Sequence, residues 1–357
     1  MARIIRVLVI DDSSLVRNIL AQGLSMDSGI DVVGTAPDPF VAQERITRLK
    51  PDVITLDVKM PRMDGVEFLK LLMAENPIPV VMVSAYTSAG QKIALDALEA
   101  GAVDFVTKPS TDVAAVKGLE KMLGELRIKI RAAAKANVSQ WESWKEKTAP
   151  SVTGNIIKTR VSSGVGREKI IAIGASTGGT EAIKKIICDF PIETSGIVIV
   201  QHMPAGFTKN FAERLNGASE MDVKEAVSGE SVLPGKILIA PGNFHMSVVR
   251  SPDGYNVVCK KTDKVKGHRP SVDVLMKSVA KCAGTRAVGV ILTGMGSDGA
   301  CGALTMRNAG ARVIAQDKAS SLVFGMPHAA LKAGAVERLV PLDQISRSVM
   351  TFLSGIK

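Results

Sequence analysis

Twice along this chain, short unbroken apolar runs alternate with stretches whose apolar residues recur every three to four positions. In the first series the runs are Val7–Ile10, Val32–Val33, Val53–Leu56, Val80–Val83 and Val103–Val106. Between them the spacing predicts helices over Leu15–Met26, Phe40–Leu49, Val66–Glu75, Gln91–Ala100 and Val113–Leu126. Uninterrupted apolar strands must be buried on both faces, and strand-helix alternation supplies the crossovers that parallel strands require. The second series has runs at Ile170–Ile173, Ile197–Val200, Ile237–Ile239, Val288–Leu292, Val313–Ala315 and Val336–Val340. Its helices are expected at Thr180–Phe190, Thr208–Asn216, Val272–Ala283, Ala300–Asn308 and Gln344–Leu353. An Asp253-Gly254 turn between Met246–Arg250 and Tyr255–Cys259 adds a β-hairpin. The fold class is therefore α/β, with two doubly wound, mainly parallel sheets and a hairpin insertion in the second.

The chain length of 357 residues accommodates two such domains, and a polar, Ser- and Thr-containing stretch separates them. The expected division is a first domain over 1–124, a linker over 125–168 that starts helical and ends extended, and a second domain over 169–357. Aromatic residues make up only 4%, so both cores must be aliphatic. The net charge of +10 divides into −3, +5 and +8 over those three segments, with no dense basic run. The total alone suits nucleic acid, an anionic membrane, an acidic protein partner or an ordinary solvated basic surface, and the asymmetry favours docking between the two halves of the chain and attraction to acidic protein helices. The four cysteines show no metal-binding spacing and are expected to be buried, reduced thiols. The N-terminus runs into Asp11-Asp12 after a short apolar stretch, which is unlike a signal peptide, and no apolar run approaches the ~20 residues of a membrane span. A cytoplasmic location is the expectation.

Chemistry should collect at the carboxyl ends of the strands. In the first domain these ends carry Asp11 and Asp12, then Asp57, Ser84 and Lys108. Three carboxylates on one edge repel unless a cation joins them, and hard oxygen ligands suit Mg²⁺. With Lys108 as a fixed positive charge, the set can accept a phosphoryl group on a carboxylate. Taken singly, Asp12 before Ser13 and Ser14 reads equally well as a helix cap.

In the second domain the first strand runs into Gly174-Ala175-Ser176-Thr177-Gly178-Gly179. This is the spacing of a nucleophile elbow, with a phosphate-binding glycine loop as the alternative. The next strand ends in Gln201-His202-Met203-Pro204, which puts an imidazole within reach of Ser176 as general base. His268, in the basic loop Lys266–Pro270, competes for that role. The Val288–Leu292 strand ends in Thr293-Gly294-Met295-Gly296-Ser297-Asp298-Gly299, whose only carboxylate, Asp298, can orient the imidazole. Backbone N–H groups at Thr177 and Met295 are candidate oxyanion donors. The order Ser176, His202, Asp298 differs from that of the α/β-hydrolases.

Residues 5–124 resemble the receiver domain of two-component response regulators, through Asp11-Asp12, Asp57 followed by Lys59-Met60-Pro61, Asp64-Gly65, Ser84-Ala85 and Lys108-Pro109. The resemblance implies a flavodoxin-like fold and phosphorylation of Asp57 by a histidine kinase. It also implies Mg²⁺ held by Asp11, Asp12, Asp57 and the backbone carbonyl of Lys59, and switch positions at Ser84, Phe105 and Lys108. Many receivers have Thr and Tyr where Ser84 and Phe105 stand.

Residues 169–354 resemble the catalytic domain of the chemotaxis protein-glutamate methylesterases, the CheB family. The resemblance rests on the Ser176, His202 and Asp298 segments together with Ala240-Pro241-Gly242 and His268-Arg269-Pro270-Ser271-Val272-Asp273. It implies cofactor-free hydrolysis of glutamate methyl esters on methyl-accepting chemoreceptors, with deamidation of receptor glutamines in many members. Partners would be a chemotaxis-type histidine kinase and the receptors, without nucleic acid or membrane insertion. A DNA-binding regulator would need a helix-turn-helix after the linker, where strand-glycine-helix units stand instead. A nonenzymatic, phosphorylation-dependent scaffold is a third reading, which replacement of Ser176 would separate from the enzyme.

Overall fold

The computed structural model describes residues 3–85, 87–109, 115–138 and 168–356. Trp141, Trp144 and most of the linker lie outside them. The chain divides into two compact units, Met1–Ala149 and Pro150–Lys357.

In the first unit, β1 (Ile5–Ile10), β2 (Ile30–Ala36), β3 (Val53–Asp57), β4 (Val80–Ala85) and β5 (Asp104–Lys108) form one sheet in the order β2-β1-β3-β4-β5. Every neighbouring pair is parallel. Helices α1 (Ser14–Ser25), α2 (Pro39–Leu49), α3 (Gly65–Glu75) and α4 (Ser88–Glu99) supply the connections, and α5 (Ala115–Ala133) follows the last strand. β3 is buried along its whole length, as an apolar run between two helical layers must be. The order reverses between β1 and β3, so Asp11 and Asp57 meet where ligands of such sheets collect. The cap of α1 is Ser13, whose Oγ accepts from the Val16 N–H; Asp12 is not the cap and stands exposed. Helix α5 runs on to Ala133, past the boundary expected at 124.

The second unit contains β6 (Ile170–Ala175), β7 (Ile197–Gln201), β8 (Asp222–Glu225), β9 (Ser231–Val232), β10 (Lys236–Ile239), β11 (His245–Ser251), β12 (Gly254–Lys260), β13 (Ala287–Ile291), β14 (Arg312–Gln316) and β15 (Arg338–Val340). Seven of these strands form a parallel sheet, β15-β14-β13-β6-β7-β10-β8. Around the chain run α6 (Gly179–Cys188), α7 (Phe207–Ala218), α8 (Val272–Ala283), α9 (Ala300–Asn308), α10 (Met326–Lys332) and α11 (Leu342–Gly355). The core is aliphatic, with Ile170, Val198, Val200, Leu275, Met276 and Val279 fully buried. Each such side chain contributes about 1.5–3 kcal/mol of burial.

The hairpin is β11 paired with β12, but Ser251 faces Gly254 across it, so the turn residues are Pro252-Asp253. Gly254 opens β12 at φ 129°, a conformation that favours glycine. β9 pairs with β12 to make this a three-stranded antiparallel sheet, a strand the apolar pattern does not reveal. Cysteines are unpaired, and the expectation of burial fails: Cys188 and Cys301 are exposed, and Cys259 and Cys282 are only half-buried. Burial does push the Cys259 thiol up, to about 11.

Candidate active site

In the second sheet, β6 lies between β7 and β13. Ser176, His202 and Asp298 therefore leave three adjacent strands at one edge. Backbone bonds tie these strand ends together beyond the sheet. Ser176 N–H donates to Thr293 O at 3.1 Å, and His202 N–H to Ala175 O at 3.1 Å. After Ser176 the chain turns through Gly178 at φ 76°, where a side chain would be strained and would meet Leu322. Gly294 is needed for closeness: a Cβ there would lie 2.7 Å from the Cβ of Ser176. That contact puts the Gly294-Met295 turn directly against the serine. Gln201 donates its amide to Ser176 O at 2.9 Å, holding the elbow from the neighbouring strand.

His202 Nε2 stands 2.9 Å from Asp298 Oδ2. A carboxylate only accepts, so Nε2 carries a proton, and in the neutral imidazole the lone pair is then on Nδ1. Nδ1 is buried and has no hydrogen-bond partner among the described residues. Asp298 has both oxygens fully used. Oδ2 also accepts from Val272 N–H at 2.7 Å, and Oδ1 accepts from Ser271 Oγ at 2.8 Å and Asp273 N–H at 3.2 Å. These donors form the start of α8, whose N-terminal dipole favours an anion. Burial opposes the charged form, but the His202 bond and charge, the Val272 amide and Ser271 outweigh it and bring the Asp298 carboxyl down to about 2.

The sequence names Asp298 without naming what holds it. Ser271 has a detectable signal, a serine just before an amphipathic helical run, and it serves as the α8 cap. Of the other histidines, His245 is buried at the start of β11 with Nε2 on Asp263 O, and His328 lies in α10 beside Phe324. His268 is different: its ring stacks on that of His202.

The first unit brings Asp11, Asp12 and Asp57 together, with carboxylate oxygens within 4.8 Å of one another. Asp11 and Asp57 are buried and Asp12 is exposed. Lys108 Nζ bridges Asp11 Oδ2 at 2.8 Å and Asp57 Oδ2 at 2.9 Å. Burial, reinforced by Asp11, holds the Asp57 carboxyl above its usual range despite Lys108. Burial works against the Lys108 ammonium, but the two carboxylates more than offset it and push its pKa up. This pocket has too little positive charge for its anions, and its donor set is all oxygen, which fits a hard divalent cation. Lys59 follows two residues after Asp57 and is exposed.

Ser84 is buried, its hydroxyl donating weakly to Gly90 O at 3.3 Å. Phe105 is buried with the Lys129 ammonium 5.1 Å from its ring centre. Lys129 itself pairs with Asp104 and Glu125 at 2.9 Å each.

A parallel sheet with a three-aspartate edge bridged by a lysine, followed by one with a serine-histidine-aspartate edge, has the layout of a receiver-linked serine hydrolase. Family models agree with both halves: response regulator receiver domain over residues 7–120 and CheB methylesterase over 171–349. The chain belongs to the CheB methylesterase family. It is 56% identical to a protein-glutamate methylesterase/protein-glutamine glutaminase of Syntrophotalea carbinolica, over 99% of both chains. It is 48% identical to the protein of the same name from Salmonella typhimurium, covering 98% of this chain and 97% of that one. Among solved structures, the CheB methylesterase catalytic domain of Thermotoga maritima matches at TM-score 0.50 and 41% identity, covering 51% of this chain and 97% of that chain.

Proposed function

We propose that this chain is a phosphorylation-controlled protein-glutamate methylesterase and protein-glutamine glutaminase acting on chemoreceptors in sensory adaptation. The observation that carries the reading is the His202–Asp298 pair at the strand ends that carry Ser176, with Nδ1 of His202 left without a partner among the described residues and so able to act as the base. Residues 1–124 would act as receiver, 125–168 as linker and 169–357 as catalytic domain, all in the cytoplasm.

Ser176 Oγ attacks the γ-carbonyl of a glutamyl methyl ester or glutamine as Nδ1 of His202 takes its proton. Asp298 stabilises the imidazolium that results. Backbone N–H groups of Thr177 and Met295 receive the negative charge developing on the carbonyl oxygen, each worth roughly 3–4 kcal/mol in a preorganised site. His202 returns the proton to methanol or ammonia as the C–O or C–N bond breaks. Water, deprotonated by the same nitrogen, then cleaves the acyl-enzyme to free glutamate and Ser176. No cofactor enters these steps.

In the receiver, Asp57 is the phosphoacceptor and a chemotaxis-type histidine kinase the donor. Asp11, Asp12, Asp57 and the Lys59 carbonyl would hold Mg²⁺, which supplies charge neutralisation for phosphoryl transfer. Lys108 offsets charge on the phosphoryl oxygens, and Ser84 and Phe105 relay the change.

The test is methanol release from methylated receptor membranes with and without a small phosphodonor. Wild type should respond to the donor and D57N should not, while S176A should lose about 10⁴-fold or more in kcat. Near-full activity in S176A would sink the hydrolase reading.

A further inference from the structure

His268 and His202 lie face to face, ring centroids 3.8 Å apart and planes within 4° of parallel. The loop that carries His268 is held at both ends. Val265 and His268 exchange two backbone hydrogen bonds of 3.1 and 2.9 Å, closing a two-residue turn with Lys266 at φ 49° and Gly267 at φ 84°. Positive φ at both turn residues marks the tight hairpin type. On one side Lys266 Nζ reaches Asp273 Oδ2 at 2.8 Å and Ser297 O at 2.9 Å. Asp273 in turn accepts from the amides of Gly299 and Gly302, so this anchor lies on the chain carrying Asp298. On the other side Arg269 grips Asn243 Oδ1 through Nε and Nη2 and Thr262 O through Nη1.

Asp298 fixes His202 at a single atom, Nε2. One hydrogen bond leaves the ring able to swing about that contact, and nothing else among the described residues bonds the side chain, since Nδ1 has no partner. A general base must hold its lone pair on the attacking oxygen before the substrate arrives. A flat ring in van der Waals contact, carried on a doubly anchored turn, supplies the missing restraint on the ring plane.

We propose that His268 is a positioning residue for the general base: its fixed imidazole face sets the plane of the His202 ring so that Nδ1 addresses Ser176. The imidazolium formed during attack is then flanked by a carboxylate at one edge and a π face above. The proposal rests on the Ser176–His202–Asp298 reading, and an active S176A would remove that reading itself. The His268 variants test only the positioning.

The experiment compares H268A and H268F in the full-length chain, measuring kcat and KM for methyl-ester hydrolysis, thermal melting, and the rate at which a fluorophosphonate labels Ser176. H268A should lower kcat about 10- to 100-fold with KM changed less than about threefold, and slow labelling in parallel. H268F, which restores a flat face without ring nitrogens, should recover most of kcat and labelling. Melting temperatures that stay together show that both variants fold; should H268A melt early, H268F against wild type decides alone. A loss confined to KM, a kcat in H268A within twofold of wild type, or a kcat loss that phenylalanine does not repair would each overturn the proposal. The last outcome would mean that the ring nitrogens of His268, and not its face, do the work.

Discussion

The two chemical edges of this molecule occupy the same kind of place and treat charge in opposite ways. Both stand at the carboxyl ends of parallel strands, where a sheet's order reverses. At the hydrolase edge, Asp298 accepts four hydrogen bonds and its carboxyl falls to about 2. At the receiver edge, Asp57 shares one lysine with Asp11 and its carboxyl is pushed above the usual range. The satisfied carboxylate is a fixed dipole partner, ready before substrate arrives, as transition-state stabilisation requires. The unsatisfied one stores an imbalance that a cation and a phosphoryl group can relieve, as a switch requires.

The sharpest way to break this comparison is D298N. An amide presents an N–H₂ donor as well as an acceptor, so the His202 proton need not remain on Nε2. If it moves to Nδ1, the lone pair facing the serine is lost. By analogy with aspartate-to-asparagine changes in serine-histidine-aspartate sites, kcat should fall roughly 10³- to 10⁴-fold with little change in KM. The pH profile sharpens the point. With its carboxyl near 2, Asp298 stays ionised across the usable range, so it should contribute no acidic limb to kcat/KM between about pH 4 and 8. Titration of the Asp298 carboxyl itself between about pH 4 and 8, followed by carbon NMR, would contradict this.

S271A tests the same satisfaction more gently. Ser271 donates to Asp298 Oδ1 at 2.8 Å and caps α8 by accepting from Val274 N–H at 3.4 Å. Losing the cap should destabilise the catalytic domain by about 1 kcal/mol in urea unfolding. Losing one of four donors should raise the Asp298 pKa and reduce kcat a few-fold, with the His202 bond and two amides still in place. A fall in kcat as deep as that of D298N would mean that Ser271 does more than hold the carboxylate.

Both edges were legible in the sequence for one physical reason. Parallel strands buried on both faces read as continuous apolar runs, so their ends are visible; Asp57, His202 and Ser176 stand within a few residues of such ends, and Asp298 lies in the glycine-rich loop that follows one. What escaped lacks that signal. β8 alternates exposed and buried residues, and β9 is only two residues long. α10 spans seven residues, too few for a helical period to stand out. β2 surfaced only as Val32–Val33 because Asp31, Gly34 and Thr35 interrupt it. The choice of Nε2 for Asp298, and the stacking that turns His268 from a competitor into a neighbour of His202, depend on how distant loops return. No local pattern encodes that.

D57N sets the receiver side of the comparison and should have the smallest effect, on stability. A carboxyl whose folded pKa is raised binds its proton more tightly in the native state than in the unfolded chain. Below the unfolded value of about 3.9 both states hold the proton and nothing is lost. As pH rises through the folded pKa the native state alone retains an unfavourable ionisation, so wild-type stability declines relative to a neutral side chain. Asparagine removes the charge and leaves Lys108 paired with Asp11 at 2.8 Å. D57N should therefore slow hydrogen exchange of the β1 and β3 amides at pH 7, and the gain over wild type should shrink as pH approaches about 4. Faster exchange in D57N at neutral pH would mean that the Lys108 bridge outweighs the strain at Asp57. The receiver edge would then be as satisfied as the hydrolase edge, and its need for a cation would lose its physical basis.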